Sequence, residues 1–420
     1  MKPSCKMAGA VFGEHLAEHN QLTARNVVVA GSRKCRAGIG LKERRVGPMV
    51  RPVHKLKQQW KEYQGIRNWD GLLDPLDDHL RSEILRYGSF VDVAYKAFDF
   101  DTSSQSYGCC KYPKRVMFDR CEVAGNGYKV TKHLYATSGI KLPSWTERNG
   151  SWPMTMQSSW IGYVAVCQDE REIARLGRRD IVIAFRGTAT CLEWVENLRA
   201  ALTPCDASNN VTEDDHDEPK VESGFLSLYT SSSASRMSLQ QLVRDEVTRI
   251  IEAYGNEPLS VTVTGHSLGA ALATLTAYDL KNTVQHCPLV TVMSFGGPRV
   301  GNLSFRQKLE LQGTNVLRIV NSDDLITKVP GFVVEDDRCH TGFWRGLMAN
   351  WIQKKAEETE WVYAEVGKEL RLRSSDSPYL EDINVATCHD LKTYLHLVEG
   401  FVSSSCPFRS TARRLIGSSH

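Results

Sequence analysis

The five residues Gly265-His266-Ser267-Leu268-Gly269 carry the strongest chemical signal in this 420-residue chain. The apolar run VTVT enters them as a buried strand, and GAALATLTAYDL leaves them as a helix rich in small residues. Glycines at both ends permit a strand-to-helix turn that side chains would crowd. Such a turn lifts the serine oxygen above a sheet and sets it at a helix N-terminus, so Ser267 reads as a nucleophile. The backbone N–H of Leu268 then faces the oxyanion that forms when an ester carbonyl is attacked. His266 adjoins the serine too closely in the chain to serve as its base. It is expected to be packed or hydrogen-bonded.

Ile181–Phe185 is a nearly continuous apolar strand that runs into Arg186-Gly187-Thr188. Gly187 allows close backbone approach, and Thr188 offers an N–H and a hydroxyl. Thr188 and Leu268 together are therefore the candidate oxyanion hole. Arg186 reads as a structural ion-pair partner, because acyl transfer needs dipoles at the carbonyl and not a full charge. A serine hydroxyl also needs a histidine to take its proton, and the histidine needs an acid to fix its tautomer. Where a serine sits on such an elbow, the acid and then the base follow it in the chain. The strand Val316–Val320 leads into Asp323 and Asp324, and spacing does not choose between them. Three histidines come next. His389, after a polar loop and at the start of a last helix, is the best placed. His340 lies in a Gly- and acid-bounded loop, and His396 shares roughly the same helical face as His389 and reads as a packing or surface residue.

These groups need a scaffold, and the hydrophobic pattern supplies one. Strands are expected at Tyr128–Ser138, Trp160–Val166, Ile181–Phe185, Leu259–Thr264, Leu289–Phe295 and Val316–Val320. Helices are expected at His54–Gly65, Leu80–Ala97, Ser238–Tyr254, Ser267–Leu280 and His389–Phe401, with a polar surface loop over Cys205–Lys220. Alternation at this pace predicts an α/β class with a mostly parallel central sheet flanked by helices, and the serine elbow makes it an α/β-hydrolase fold. A single domain over residues 52–401 is the simplest division, with a tail at 402–420.

Composition limits the alternatives. A formal charge of +3 argues against a nucleic-acid surface, and no run of about 18 apolar residues predicts a membrane span. Residues 1–51 hold ten Lys or Arg against Glu14, Glu18 and Glu43, which suits an organelle-targeting leader. The 12 cysteines are scattered and no long apolar secretory core precedes them, so most are expected to be free thiols. No metal or cofactor is expected.

At this point the residues converge on a known group. The chain resembles the class 3 lipases, and within them the plant phospholipase A1 group associated with plastids. The likeness rests on AFRGT (184–188), TGHSLGAALATL (264–275), SFGGPRVGN (294–302), NSDDLITKVP (321–330) and CHDLKTYLHLVEGF (388–401), with residues 58–99 similar to the plant group in particular. The resemblance implies Asp324 as the acid, since Leu325, Ile326, Val329 and Pro330 follow it in the family pattern. It likewise implies His389 as the base and Thr188 as the oxyanion contributor. It also implies an amphipathic lid at 191–200, where Leu192, Trp194, Val195 and Leu198 form an apolar face. The implied activity is hydrolysis of the sn-1 acyl ester of a membrane phospholipid or galactolipid in a plastid, at a membrane or micelle surface. A neutral-lipid lipase, an acyltransferase and a non-catalytic lipase-like interaction protein are the alternatives.

Overall fold

The computed structural model describes residues 53–123, 125–137, 158–188, 201–205, 218–328, 363–380 and 383–409. The leader at 1–51, His340 and the lid segment with Leu192, Trp194, Val195 and Leu198 lie outside them.

Two helices open the described chain, α1 (Val53–Tyr63) and α2 (Asp78–Ala97). Asp77 caps α2 by accepting the N–H groups of His79 at 2.8 Å and Leu80 at 3.2 Å, so the helix begins just before its apolar stripe. After the short α3 (Met117–Arg120) come β1 (Tyr128–Thr137), β2 (Ser158–Cys167), α4 (Glu170–Leu176) and β3 (Arg179–Phe185). A small antiparallel pair follows, β4 (Leu202–Pro204) with β5 (Lys220–Glu222), then α5 (Ser223–Thr230) and α6 (Leu239–Tyr254). Next are β6 (Leu259–His266), α7 (Leu268–Thr283), β7 (Leu289–Phe295), α8 (Leu303–Leu311) and β8 (Asn315–Asn321). The described chain closes with β9 (Lys368–Leu372), α9 (Val385–His389) and α10 (Leu391–Gly400).

The main sheet has the order β1-β2-β3-β6-β7-β8-β9. The β1–β2 and β2–β3 pairs are antiparallel, and every pair from β3 to β9 is parallel. This is the mostly parallel, helix-flanked α/β-hydrolase sheet. Register aligns the carboxyl ends of its inner strands: Phe185 pairs with Gly265, His266 with Phe295, and Phe295 with Ile319. One core forms where Leu80, Ile84 and Val91 of α2 and Tyr394, Leu397 and Val398 of α10 cover one sheet face. Phe225 of α5, Val243 and Val247 of α6 and Leu272 of α7 cover the other. The chain still packs beyond α10, where Phe408 is buried against Gly400. No helix among the described residues is long and apolar enough to cross a membrane.

Helices α4, α5 and α8 are not expected from the hydrophobic pattern. Each has nine residues or fewer, too short for a 3.6-residue period to declare itself.

Candidate active site

The elbow is built by sterics. Ser267 holds φ 57° and ψ −126°, a conformation that costs an L-residue on the order of 1–3 kcal/mol and persists only when its surroundings enforce it. A Cβ on Gly265 would lie 2.2 Å from the carbonyl oxygen of Gly269. One on Gly269 would lie 2.6 Å from the carbonyl oxygens of both Phe185 and Arg186. Helix α7 therefore starts in direct backbone contact with β6 and with the end of β3. The Ser267 N–H donates to the Phe295 carbonyl at 3.0 Å, which fastens the turn to β7. Leu268 is the first residue of α7, so its N–H is one of those that no intrahelical carbonyl can satisfy.

Beyond β8, Asp324 is fully buried, and its Oδ2 lies 2.7 Å from His389 Nδ1. Asp324 Oδ2 also accepts the Tyr394 hydroxyl at 2.7 Å, and Oδ1 accepts the Ile326 N–H at 2.9 Å. Asp323 turns elsewhere and accepts the Ser375 N–H at 3.2 Å. Of the two acids that spacing left equal, only Asp324 meets a histidine among the described residues. A carboxylate accepts, so His389 Nδ1 carries the proton of this bond and Nε2 is left with a lone pair for proton abstraction.

His389 does not start the last helix. It ends α9, which Asn384 opens by accepting the Thr387 N–H at 3.0 Å, and extended Asp390 separates it from α10. The five-residue α9 is too short to read from periodicity. His396 bonds the Ser377 hydroxyl at 2.9 Å and packs against Tyr379 and Phe408, a packing residue as expected.

His266 is buried and hydrogen-bonded on both ring nitrogens. Nδ1 is 2.7 Å from the Tyr95 hydroxyl and Nε2 is 2.7 Å from the His389 carbonyl oxygen. Burial, reinforced by the neighbouring His389, holds its pKa well below the ordinary histidine value. The two imidazoles face each other with ring centroids 4.7 Å apart, which sets the His389 ring beside the elbow.

At the end of β3, Gly187 has room for no side chain: a Cβ would meet the Tyr95 hydroxyl at 2.4 Å and Ser267 Cβ at 3.0 Å. Thr188 follows it, half-buried, next to the elbow. Arg186 differs from expectation. No carboxylate pairs with it among the described residues. It donates to the carbonyls of Trp160 at 3.0 Å and Gly187 at 2.6 Å and to the Ser159 hydroxyl at 3.1 Å, with its guanidinium 3.6 Å from the Phe98 ring centroid. Burial without a counter-charge lowers its pKa to about 10. These bonds brace the turn at Arg186-Gly187.

The structure thus brings Ser267, Asp324, His389, Leu268 and Thr188 to one edge of the sheet. It adds Tyr95 and Tyr394, which sequence alone does not single out.

Comparison with known proteins identifies the family. Residues 182–334 match the family described as Lipase (class 3). The chain is 63% identical to the chloroplastic phospholipase A(1) DAD1 of Arabidopsis thaliana, over 86% of this chain and 81% of that one. It is 40% identical to the chloroplastic galactolipase DONGLE of the same plant, over 82% of this chain and 70% of that one. Among solved structures it is similar to the Lip2 lipase of Yarrowia lipolytica at 19% identity and a TM-score of 0.43, over 71% of this chain and 80% of that one. That last likeness is slight, whereas the sequence relatives are close and span most of both chains. The elbow, the buried acid–histidine pair and these relatives lead to one family: the chain belongs to the class 3 lipases.

Proposed function

We propose that this chain is a plastid serine hydrolase that cleaves the sn-1 acyl ester of membrane glycerolipids, releasing a lysolipid and a fatty acid. The observation that carries the reading is the buried Asp324–His389 pair at 2.7 Å beside the strained Ser267 elbow. Ser267 Oγ attacks the ester carbonyl while His389 Nε2 takes its proton, and Asp324 stabilises the imidazolium. The carbonyl oxygen becomes an anion held by the N–H groups of Leu268 and Thr188. His389 gives its proton to the departing lysolipid, then takes one from the water that attacks the acyl-enzyme and returns it to Ser267 Oγ as the acyl–Oγ bond breaks and the fatty acid leaves. No metal or redox group takes part in any of these steps.

The substrate class comes from the relatives, named as phospholipase A(1) and galactolipase. Both are labelled chloroplastic, which together with the basic residues 1–51 supports a plastid address with that segment as transit leader. Contact with the membrane is peripheral in this reading. The segment 191–200 serves as a lid through Leu192, Trp194, Val195 and Leu198, because an acyl groove open to water costs about 25 cal/mol per Å².

The test is the full chain assayed on phosphatidylcholine, monogalactosyl diacylglycerol and triacylglycerol, with the released acyl position identified. Release from sn-1 of the two polar lipids is expected. Preference for triacylglycerol would make the protein a neutral-lipid lipase, and release by folded Ser267→Ala would remove the serine mechanism.

A further inference from the structure

Tyr95 stands on α2, well upstream of residues 182–334 that match the lipase family, yet its hydroxyl touches both sides of the site. It accepts the Gly187 N–H at 2.9 Å and lies 2.7 Å from His266 Nδ1. The donor and acceptor inventory and the burial of His266 together set the direction of each bond. The His389 carbonyl only accepts, so His266 Nε2 carries the ring proton. Burial keeps the ring neutral, so Nδ1 is an acceptor and the Tyr95 O–H must donate to it. The phenol oxygen is then left to accept from Gly187.

We propose that Tyr95 and His266 are positioning residues that fix the oxyanion turn and the catalytic base in one frame, through the unbroken chain Gly187 N–H to Tyr95 O–H to His266 and on to the His389 carbonyl. This rests on the roles assigned above to Thr188, Leu268, Ser267 and His389. The chain fastens the Arg186–Gly187 peptide, one peptide before the Thr188 N–H, at one end and the backbone of the base at the other, with the elbow between them. Reacting groups held on three separate segments of the chain must keep their spacing to well under an ångström, and a misplacement of about 1 Å costs roughly 100-fold. Gly187 is the residue that makes the contact feasible, because a Cβ there would occupy the phenol's place at 2.4 Å. A neutral His266 also places no second positive charge against the imidazolium that His389 becomes during turnover. Its ring centroid is 4.7 Å from that of His389.

The experiment is steady-state kinetics of the full chain on p-nitrophenyl butyrate, a soluble ester that needs no lipid surface. Wild type, Tyr95→Phe, His266→Gln and the double variant are compared. Tyr95→Phe keeps the ring and removes only the hydroxyl. It is expected to lower kcat about 10- to 100-fold while KM stays within about 3-fold, with a cooperative melt retained. His266→Gln removes the Nδ1 acceptor and should lower kcat to a similar degree. Because both residues act through one chain, the double variant should lose little more than the worse single one. Unchanged kcat in folded Tyr95→Phe, or single losses that multiply in the double variant, would overturn the proposal. If Tyr95→Phe does not fold, unchanged kcat in His266→Gln overturns it alone. Failure of the underlying triad shows separately, as activity that survives Ser267→Ala.

Discussion

Tyr394 and Asp324 make the sharpest demands at the scale of single residues. Asp324 is buried and bonded to His389, whereas the Asp323 carboxylate accepts the Ser375 N–H. Asp324→Asn should therefore lower kcat by roughly 10⁴-fold by favouring the wrong histidine tautomer, and Asp323→Asn should cost little. Purified variants assayed on a soluble ester decide this, and equal losses would place the acid elsewhere. Tyr394 donates to the same Oδ2 that holds His389. Taking that donor away leaves the carboxylate more basic and the imidazolium better stabilised. Tyr394→Phe should move the lower pH limb of kcat/KM upward by roughly half a unit to one unit. A pH–rate profile checks the shift, and a downward shift would contradict the assigned bond.

Among the elements, the two-stranded β4–β5 sheet and α5 meet at Glu222. Its Oε2 accepts the Phe225 N–H at 2.7 Å, a helix cap, while its Oε1 is buried with no hydrogen-bond partner among the described residues. Burial pushes this carboxyl up from 4.5 to about 7. The folded chain therefore keeps a proton that the unfolded chain releases near pH 4.5. The stability this group contributes is fully present below the unfolded value and is lost as pH rises towards 7. Glu222→Gln should raise Tm at pH 8 by roughly 2–4 °C, with the difference shrinking at acid pH. Melting curves at the two pH values test it, and a gap of equal size at both would contradict the buried titration.

Elements also explain what a reader of the sequence sees. The elbow is legible because strand, two glycines and helix are contiguous, and each glycine is required by a backbone oxygen under 3 Å away. Asp324 and His389 need the family pattern, since neighbouring Asp323 has the same local context. Tyr95 and Tyr394 leave no local mark: each lies on an ordinary amphipathic helix, and their partners are 171 and 70 residues away in sequence. The short α9 hides the position of His389 for a related reason, because its start is set by one Asn384 cap.

At the scale of the whole molecule, the sheet has a working edge and an anchoring edge. Where β3 and β6 begin, α2 is tied to the sheet by buried charges: Arg86 lies 2.7 Å from Glu83 and 3.2 Å from Asp180, and Arg178 is 3.4 Å from Glu83. Tyr128 and Ser260 hydroxyls complete Asp180 at 2.8 Å each. The arginines hold the Glu83 carboxyl down to about 2 despite burial, so it is ionised at neutral pH. Glu83→Ala would leave two buried guanidiniums short of a counter-charge and should cost about 3–5 kcal/mol in denaturant unfolding, a loss under 1 kcal/mol contradicting the network. The same helix carries Tyr95 to the working edge, so anchoring and chemistry share one rod. The proposed hydrolysis runs through a covalent acyl-serine at that edge. The most direct measurement is the intact mass of the full chain quenched during turnover of p-nitrophenyl butyrate, with peptide mapping of the adduct. A butyryl group on the peptide holding Ser267, absent from Ser267→Ala, is the predicted result. An adduct on another residue, or turnover by folded Ser267→Ala at the wild-type rate, would contradict it.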